Sequence, residues 1–178
     1  MLQVFPGEVF AQTTDFDAGI RQLLPHYDEM LEAVASCVPS TSRRILELGC
    51  GTGELSMKIL KRCANAEIIA LDYSPRMIEF SRSKMTEAGY QQWRGIEADF
   101  GEWANNPEKL DIGMKFDACV SSLAIHHIND EMKAKLFQRI SNSLKCGGCF
   151  WNADPVLSES PILEEKYQAV GKEWVEKQ

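Results

Sequence analysis

The sequence predicts a single α/β domain built on a doubly wound parallel sheet, and three observations carry that expectation. Short apolar runs of strand length alternate with stretches of helical period. A glycine-rich turn follows the first of these runs directly. Acidic residues stand at or near the ends of the first three runs, where sheets of this kind hold their ligands.

The strand-like runs are Ile45–Leu48, Glu67–Leu71, Trp93–Ala98, Phe116–Ser121 and Cys149–Ala153, which makes five strands. Between them lie stretches with a core-facing stripe: Leu55, Ile59, Leu60 and Cys63, then Ile78, Ser81 and Met85, then Leu136, Phe137, Ile140 and Leu144. Each strand therefore hands over to a helical crossover. Ahead of the first strand, Tyr27, Met30, Leu31, Val34 and Val38 recur at helical spacing, and Pro25 suits a first-turn position, so a helix is expected from about Pro25 to Cys37. Residues 1–16 show no decisive pattern. After the fifth strand, Leu163, Tyr167, Val170 and Trp174 mark one helical face behind Ser160-Pro161. The 178 residues thus divide into an N-terminal helical lid (1–40), a core (41–154) and a C-terminal helix (155–178) of one domain.

Composition excludes several classes of function. With 26 acidic against 19 basic residues, the formal charge of −7 repels phosphate backbones, and no basic cluster offsets it, so no nucleic-acid partner is expected. No apolar run approaches the ~20 residues that span a bilayer, and Met1 opens no signal pattern, so neither membrane insertion nor secretion is expected. The six cysteines fall mostly inside strand and helix segments rather than at loop staples, which fits a reducing cytoplasm. Cys146 and Cys149 have redox-motif spacing, but they straddle a Gly-Gly turn into a strand instead of opening a helix.

The chemistry concentrates in three places. In Glu47-Leu48-Gly49-Cys50-Gly51-Thr52-Gly53, a buried strand runs through a glycine turn into a helix, and glycines let backbone approach a ligand closely. Dinucleotide sites use G-x-G-x-x-G to seat a pyrophosphate on the helix N-terminus. The G-x-G-x-G spacing here, with Glu47 ahead of it, suits a cationic ligand instead. Asp72, at the end of the second run, can accept both hydroxyls of a ribose, while Ser74-Pro75 reads as a helix cap and first residue. Asp99-Phe100 closes the third run with an acceptor for an amino group and a ring to cover a base. His126 and His127 follow the fourth run and lack the partner ligands that a metal site needs, so no metal is expected.

Taken together, residues 44–154 resemble class I S-adenosylmethionine-dependent methyltransferases. The glycine loop, Asp72, Asp99-Phe100, the strand from Phe116 to Ser122, and Gly147-Gly148 before the fifth strand fall in that family's order. The resemblance implies a Rossmann-like sheet, S-adenosylmethionine as cofactor, S-adenosylhomocysteine as product and a small-molecule methyl acceptor. It implies that Glu47, Gly49 and Gly51 lie along the methionine portion, Asp72 and Tyr73 along the ribose, and Asp99 and Phe100 along the adenine. Ser121 or Ser122 would sit beside the methionine end, and Cys50, Gly53 and Met77 complete the cofactor set. It further implies His127 as a general base, with His126, Tyr27 and Asp154 as accessory candidates. Phe16 through Leu31 is loosely similar to the start of carboxy-S-adenosylmethionine synthases, which leaves other chemistry on the same cofactor, or a non-catalytic cofactor-binding subunit, as the alternatives.

The family usually adds a sixth and a seventh strand, and these have no counterpart here. The expectation is a five-stranded sheet whose fifth strand is an open edge, in a fragment of a longer enzyme or in a short protein that covers the edge by dimerising.

Overall fold

A computed structural model of the chain describes residues 13–106, 108–113 and 115–177. Its sheet has five parallel strands: β1 (Arg44–Leu48), β2 (Glu67–Asp72), β3 (Trp93–Glu97), β4 (Phe116–Ser122) and β5 (Leu144–Ala153). They lie in the order β3-β2-β1-β4-β5, so the chain walks outward from β1 to β3 and then returns to the other side of β1. That reversal opens a crevice at the carboxyl ends of β1 and β4, where Leu48 is in register with Ser121. This is the expected doubly wound sheet of the class I methyltransferase type.

Alternation along the strands divides the core between the two faces of the sheet. Ile45, Ile68, Ala70, Ala118 and Val120 pack under α2 (Tyr27–Cys37), α3 (Glu54–Arg62) and α4 (Pro75–Glu87). Leu46, Leu48, Ile69, Leu71 and Cys119 pack under α5 (Phe100–Asn105) and α6 (Asp130–Ser143). Burying such a run on both faces contributes about 1.5–3 kcal/mol per large aliphatic side chain.

Four features depart from the sequence expectation. The helix expected from Pro25 begins at Tyr27, because His26 takes a left-handed conformation (φ 57°, ψ 31°) that interrupts the run. A further helix, α1 (Thr13–Leu23), precedes it where no pattern was decisive. The fifth strand begins at Leu144 rather than Cys149, with residues 145–148 bulged out between the Phe116–Leu144 and Ala118–Cys149 pairs and Gly147 at φ 79°. Finally, α7 (Pro161–Glu176) starts at Pro161 as expected, yet its apolar residues are not buried: Tyr167 is 64% and Val170 58% exposed. Trp174 alone reaches inward, donating Nε1–H to the Arg21 carbonyl at 3.3 Å and lying against the His26 ring. Residues 1–12 of the expected lid lie outside the described residues. The β5 edge carries Trp151, 41% exposed, and among the described residues β5 pairs with β4 only.

Candidate active site

The glycine loop is folded back onto the end of β2. Gly49 N–H and Cys50 N–H both donate to the Leu71 carbonyl, at 2.8 and 3.1 Å, and Gly51 N–H donates to Asp72 Oδ2 at 2.8 Å. Gly49 (φ 72°) passes so close to the loop after β4 that a Cβ there would stand 2.2 Å from the Ala124 Cβ. Gly51 (φ 50°) is the opposite case, since a Cβ there would meet no atom within 4 Å. Its backbone faces open space.

That space is a cavity of about 260 Å³ at the β1/β4 crevice. From the loop and β1, Glu47, Gly49, Cys50 and Gly51 line it. Asp72, Tyr73 and Met77 enter from the end of β2 and the start of α4, Asp99 and Phe100 from the start of α5. Ser122 and His127 face them from β4 and the 3₁₀ turn Ile125–His127, and Tyr27 closes the α2 side. Twelve of the sequence-selected residues therefore share one cavity.

The other four point elsewhere. Gly53 caps α3 at φ 82°, and a Cβ there would meet Met85 Cε at 2.8 Å, so its lack of a side chain serves packing against α4. Ser121 is fully buried and donates Oγ–H to the Leu48 carbonyl at 2.9 Å, turned away by the strand alternation that brings Ser122 forward. His126 and Asp154 pair with each other, Nδ1 to Oδ1 at 2.8 Å, with Asn152 donating to the second Asp154 oxygen. Neither lines the cavity. Their pair instead ties the turn after β4 to the end of β5, and the His126 ring lies 3.9 Å from that of His127.

Two carboxylates in the cavity differ in their surroundings. Asp72 is buried and accepts from Gly51 N–H and from Ser74 N–H at 2.9 Å. Glu47 is 1% exposed, and burial pushes its carboxyl up to about 7 against the opposing hydrogen bond from Ser56 Oγ, with the Asp72 charge adding to the rise. Ser56 accepts in turn from Trp93 Nε1 at 2.8 Å. Burial likewise holds the His127 imidazole below its ordinary value, helped by His126 and opposed by Asp154, which favours the neutral ring. Tyr27 is pushed up by burial, which keeps its phenol protonated.

Sequence reasoning missed the contribution of α1. Phe16 lines the cavity, and Asp17 accepts from Thr52 Oγ1 of the glycine loop at 2.5 Å and from Lys84 Nζ at 2.6 Å. Arg21 reaches Glu54 at 2.5 Å and Asp28 at 2.8 Å, while Lys84 also bonds Glu54. The only local signal was the acidic and basic spacing of Asp17 and Arg21, whose partners lie far along the chain.

A sequence family described as a methyltransferase domain matches residues 45–148. The chain belongs to this methyltransferase family. It carries the class I S-adenosylmethionine-dependent methyltransferase fold, and its cofactor is S-adenosylmethionine. This methyltransferase is 38% identical over 104 residues to malonyl-[acyl-carrier protein] O-methyltransferase 1 of Ilyobacter polytropus, covering 58% of this chain and 35% of that protein. It is 30% identical over 160 residues to an uncharacterized methyltransferase of Oceanobacillus iheyensis, covering 90% of this chain and 68% of the relative. Among solved structures, an S-adenosylmethionine-dependent methyltransferase from Clostridium acetobutylicum superimposes with a TM-score of 0.61 at 25% identity, over 79% of this chain and 57% of that one. The methyltransferase thus spans between about a third and two thirds of the length of these curated relatives.

The site residues fit the cofactor on two observations. Gly51 presents bare backbone to the open cavity, and Ser122 has a buried Oγ with no hydrogen-bond partner among the described residues. Among the described residues no helix is long and apolar enough to cross a membrane, and no group of three His, Cys, Asp or Glu side chains could hold a metal ion.

Proposed function

We propose that this chain transfers the cofactor methyl group to a small-molecule acceptor. The observation that carries the reading is the joining, in one cavity, of the glycine loop, Asp72 and His127, whose imidazole burial holds below its ordinary value. Glu47, Gly49, Cys50 and Gly51 would hold the methionine portion with Ser122, Asp72 and Tyr73 the ribose, and Met77, Asp99 and Phe100 the adenine. Asp99 keeps its Oδ1 on Gly101 N–H and Glu102 N–H as the α5 cap, and its second oxygen serves the base.

When bound, the cofactor supplies a methyl carbon already activated by its sulfonium. The chain's own contribution is alignment and exclusion of water, with the acceptor atom held in line at roughly 3–3.5 Å. His127 would accept the acceptor's proton on a ring nitrogen as the acceptor is methylated. The acidic composition and the six free cysteines support work on a small molecule in the cytoplasm.

The test is cofactor affinity in Asp72→Ala. Removing a carboxylate that both organises Gly51 and faces the ligand is expected to weaken S-adenosylhomocysteine binding by about 1.5–3 kcal/mol in a calorimetric titration. Parent-like affinity would remove Asp72 from the ribose site.

A further inference from the structure

Helix α1 lies beside the cavity without a buried face of its own. None of the residues from Asp15 to Leu23 is buried, whereas α2 buries Tyr27, Leu31, Val34 and Ala35, and α4 buries Met77, Ile78, Ser81 and Met85. Phe16 joins the cavity lining, and Ile20, with Leu24 just past the helix end, lies partly buried against the core. The rest of the hold is charge. Asp17 accepts from Thr52 Oγ1 and from Lys84 Nζ, while Arg21 donates to Glu54 on α3 and to Asp28 on α2. Lys84 also donates to Glu54 and, at 3.3 Å, to the Thr52 carbonyl, so one ammonium ties α1, α3 and the glycine loop to α4. Thr52 and Glu54 line the cavity, but Asp17, Arg21 and Lys84, which hold them, do not. Two further features mark α1 off as a separate body. The chain passes from α1 to α2 through Leu24-Pro25-His26, with His26 at φ 57° in the left-handed region that residues with a Cβ seldom adopt. From the other end of the chain, Trp174 of α7 donates Nε1–H to the Arg21 carbonyl at 3.3 Å, one of the last four carbonyls that the helix itself cannot satisfy, and its ring stands 5.6 Å from that of His26.

We propose that α1 is a hinged strap on the cofactor cavity, pivoting at Leu24-Pro25-His26, and that Trp174 of α7 is its outer latch. Cofactor exchange then waits on release of the Asp17, Arg21 and Lys84 clasp together with the Trp174 contact. A helix with no buried face can lift without opening the core, and what it gives up is chiefly this small set of polar contacts. Since the clasp groups and Trp174 do not line the cavity, breaking them changes how often the strap opens and not what the bound ligand touches. The proposal concerns exchange of the cofactor and stands apart from the choice of acceptor.

Surface plasmon resonance of S-adenosylhomocysteine on the immobilised full chain reads both rate constants. In Lys84→Met, association and dissociation are each expected to quicken by about tenfold or more, and in Trp174→Ala by about threefold or more, with Kd staying within about threefold of the parent's. Asp17→Asn, which keeps the shape of the side chain and removes its charge, should act as Lys84→Met does. Tyr167→Ser, on the exposed face of α7, should leave both rates at parent values. Hydrogen exchange gives a reading that needs no ligand: amides of residues 15–23 should exchange faster in Lys84→Met and Trp174→Ala than in the parent, while those of α2 keep their protection. Parent-like rates in folded Lys84→Met and Asp17→Asn, or in folded Trp174→Ala, overturn the proposal. So does faster dissociation at unchanged association, which would make α1 a fixed wall, and so does equal acceleration in Tyr167→Ser, which would take the latch away from Trp174.

Discussion

His127→Ala is expected to lower kcat by about 10²–10⁴-fold while leaving S-adenosylhomocysteine affinity nearly unchanged. The ring lines the cavity, and in the proposed reaction its loss would remove the proton acceptor and leave the glycine loop and Asp72 in place. Desolvation first, and His126 second, hold its imidazole below the ordinary value. The neutral, active form therefore predominates from a lower pH than in an unperturbed histidine, and the rise of kcat/KM with pH should be displaced to the acid side of an ordinary histidine's. His126→Ala should act differently. It leaves Asp154, whose side chain is only 8% exposed, without its ring partner, which costs stability by about 1–3 kcal/mol and rate much less. Steady-state kinetics and urea denaturation on the two variants check the contrast. Equal turnover in His127→Ala and the parent would leave alignment as the sole catalytic device.

The second large effect concerns Glu47. Its folded-state carboxyl titrates at about 7 against an ordinary 4.5, so between those values the folded chain keeps a proton that the unfolded chain has released. Stability must then fall as pH rises through that window and level off above about 7, with a total of about 3 kcal/mol from this group. Glu47→Gln keeps the shape and cannot ionise. Denaturation of the ligand-free protein at pH 5 and pH 8 should show a smaller loss of stability in the variant than in the parent, by about that amount. Parallel pH dependences would mean that Glu47 is better solvated than its burial beside Ser56 implies.

Much of the architecture was legible because it is written in local pattern. The five apolar runs, the glycine turn and the acidic residues that follow are signals within a few residues of one another, and parallel pairing then brings Asp72 and the glycine loop together. What was not legible depends on partners distant in sequence. Helix α1 has a sparse apolar stripe and is held by Asp17 and Arg21, whose bonds to Thr52, Lys84 and Glu54 cannot be read from residues 13–23. Ser121 and Ser122 are neighbours in any motif, and only the strand's alternation decides that the second faces the cavity. Asp154 was grouped with His127 as a catalytic candidate. The β4–β5 register, which sets Ser122 beside Ala153, delivers it to His126 instead. The exposed face of α7 shows the converse limit, since helical spacing reveals a stripe but not what covers it.

The β1/β4 cavity is expected to take S-adenosylmethionine and not a dinucleotide. Calorimetric titration of the chain with S-adenosylmethionine, S-adenosylhomocysteine and NAD tests it most directly. The first two should each saturate a single site, lost or weakened together in Asp72→Ala, and NAD should give no binding heat. Saturable NAD binding, or no binding by either adenosyl ligand, would contradict the account.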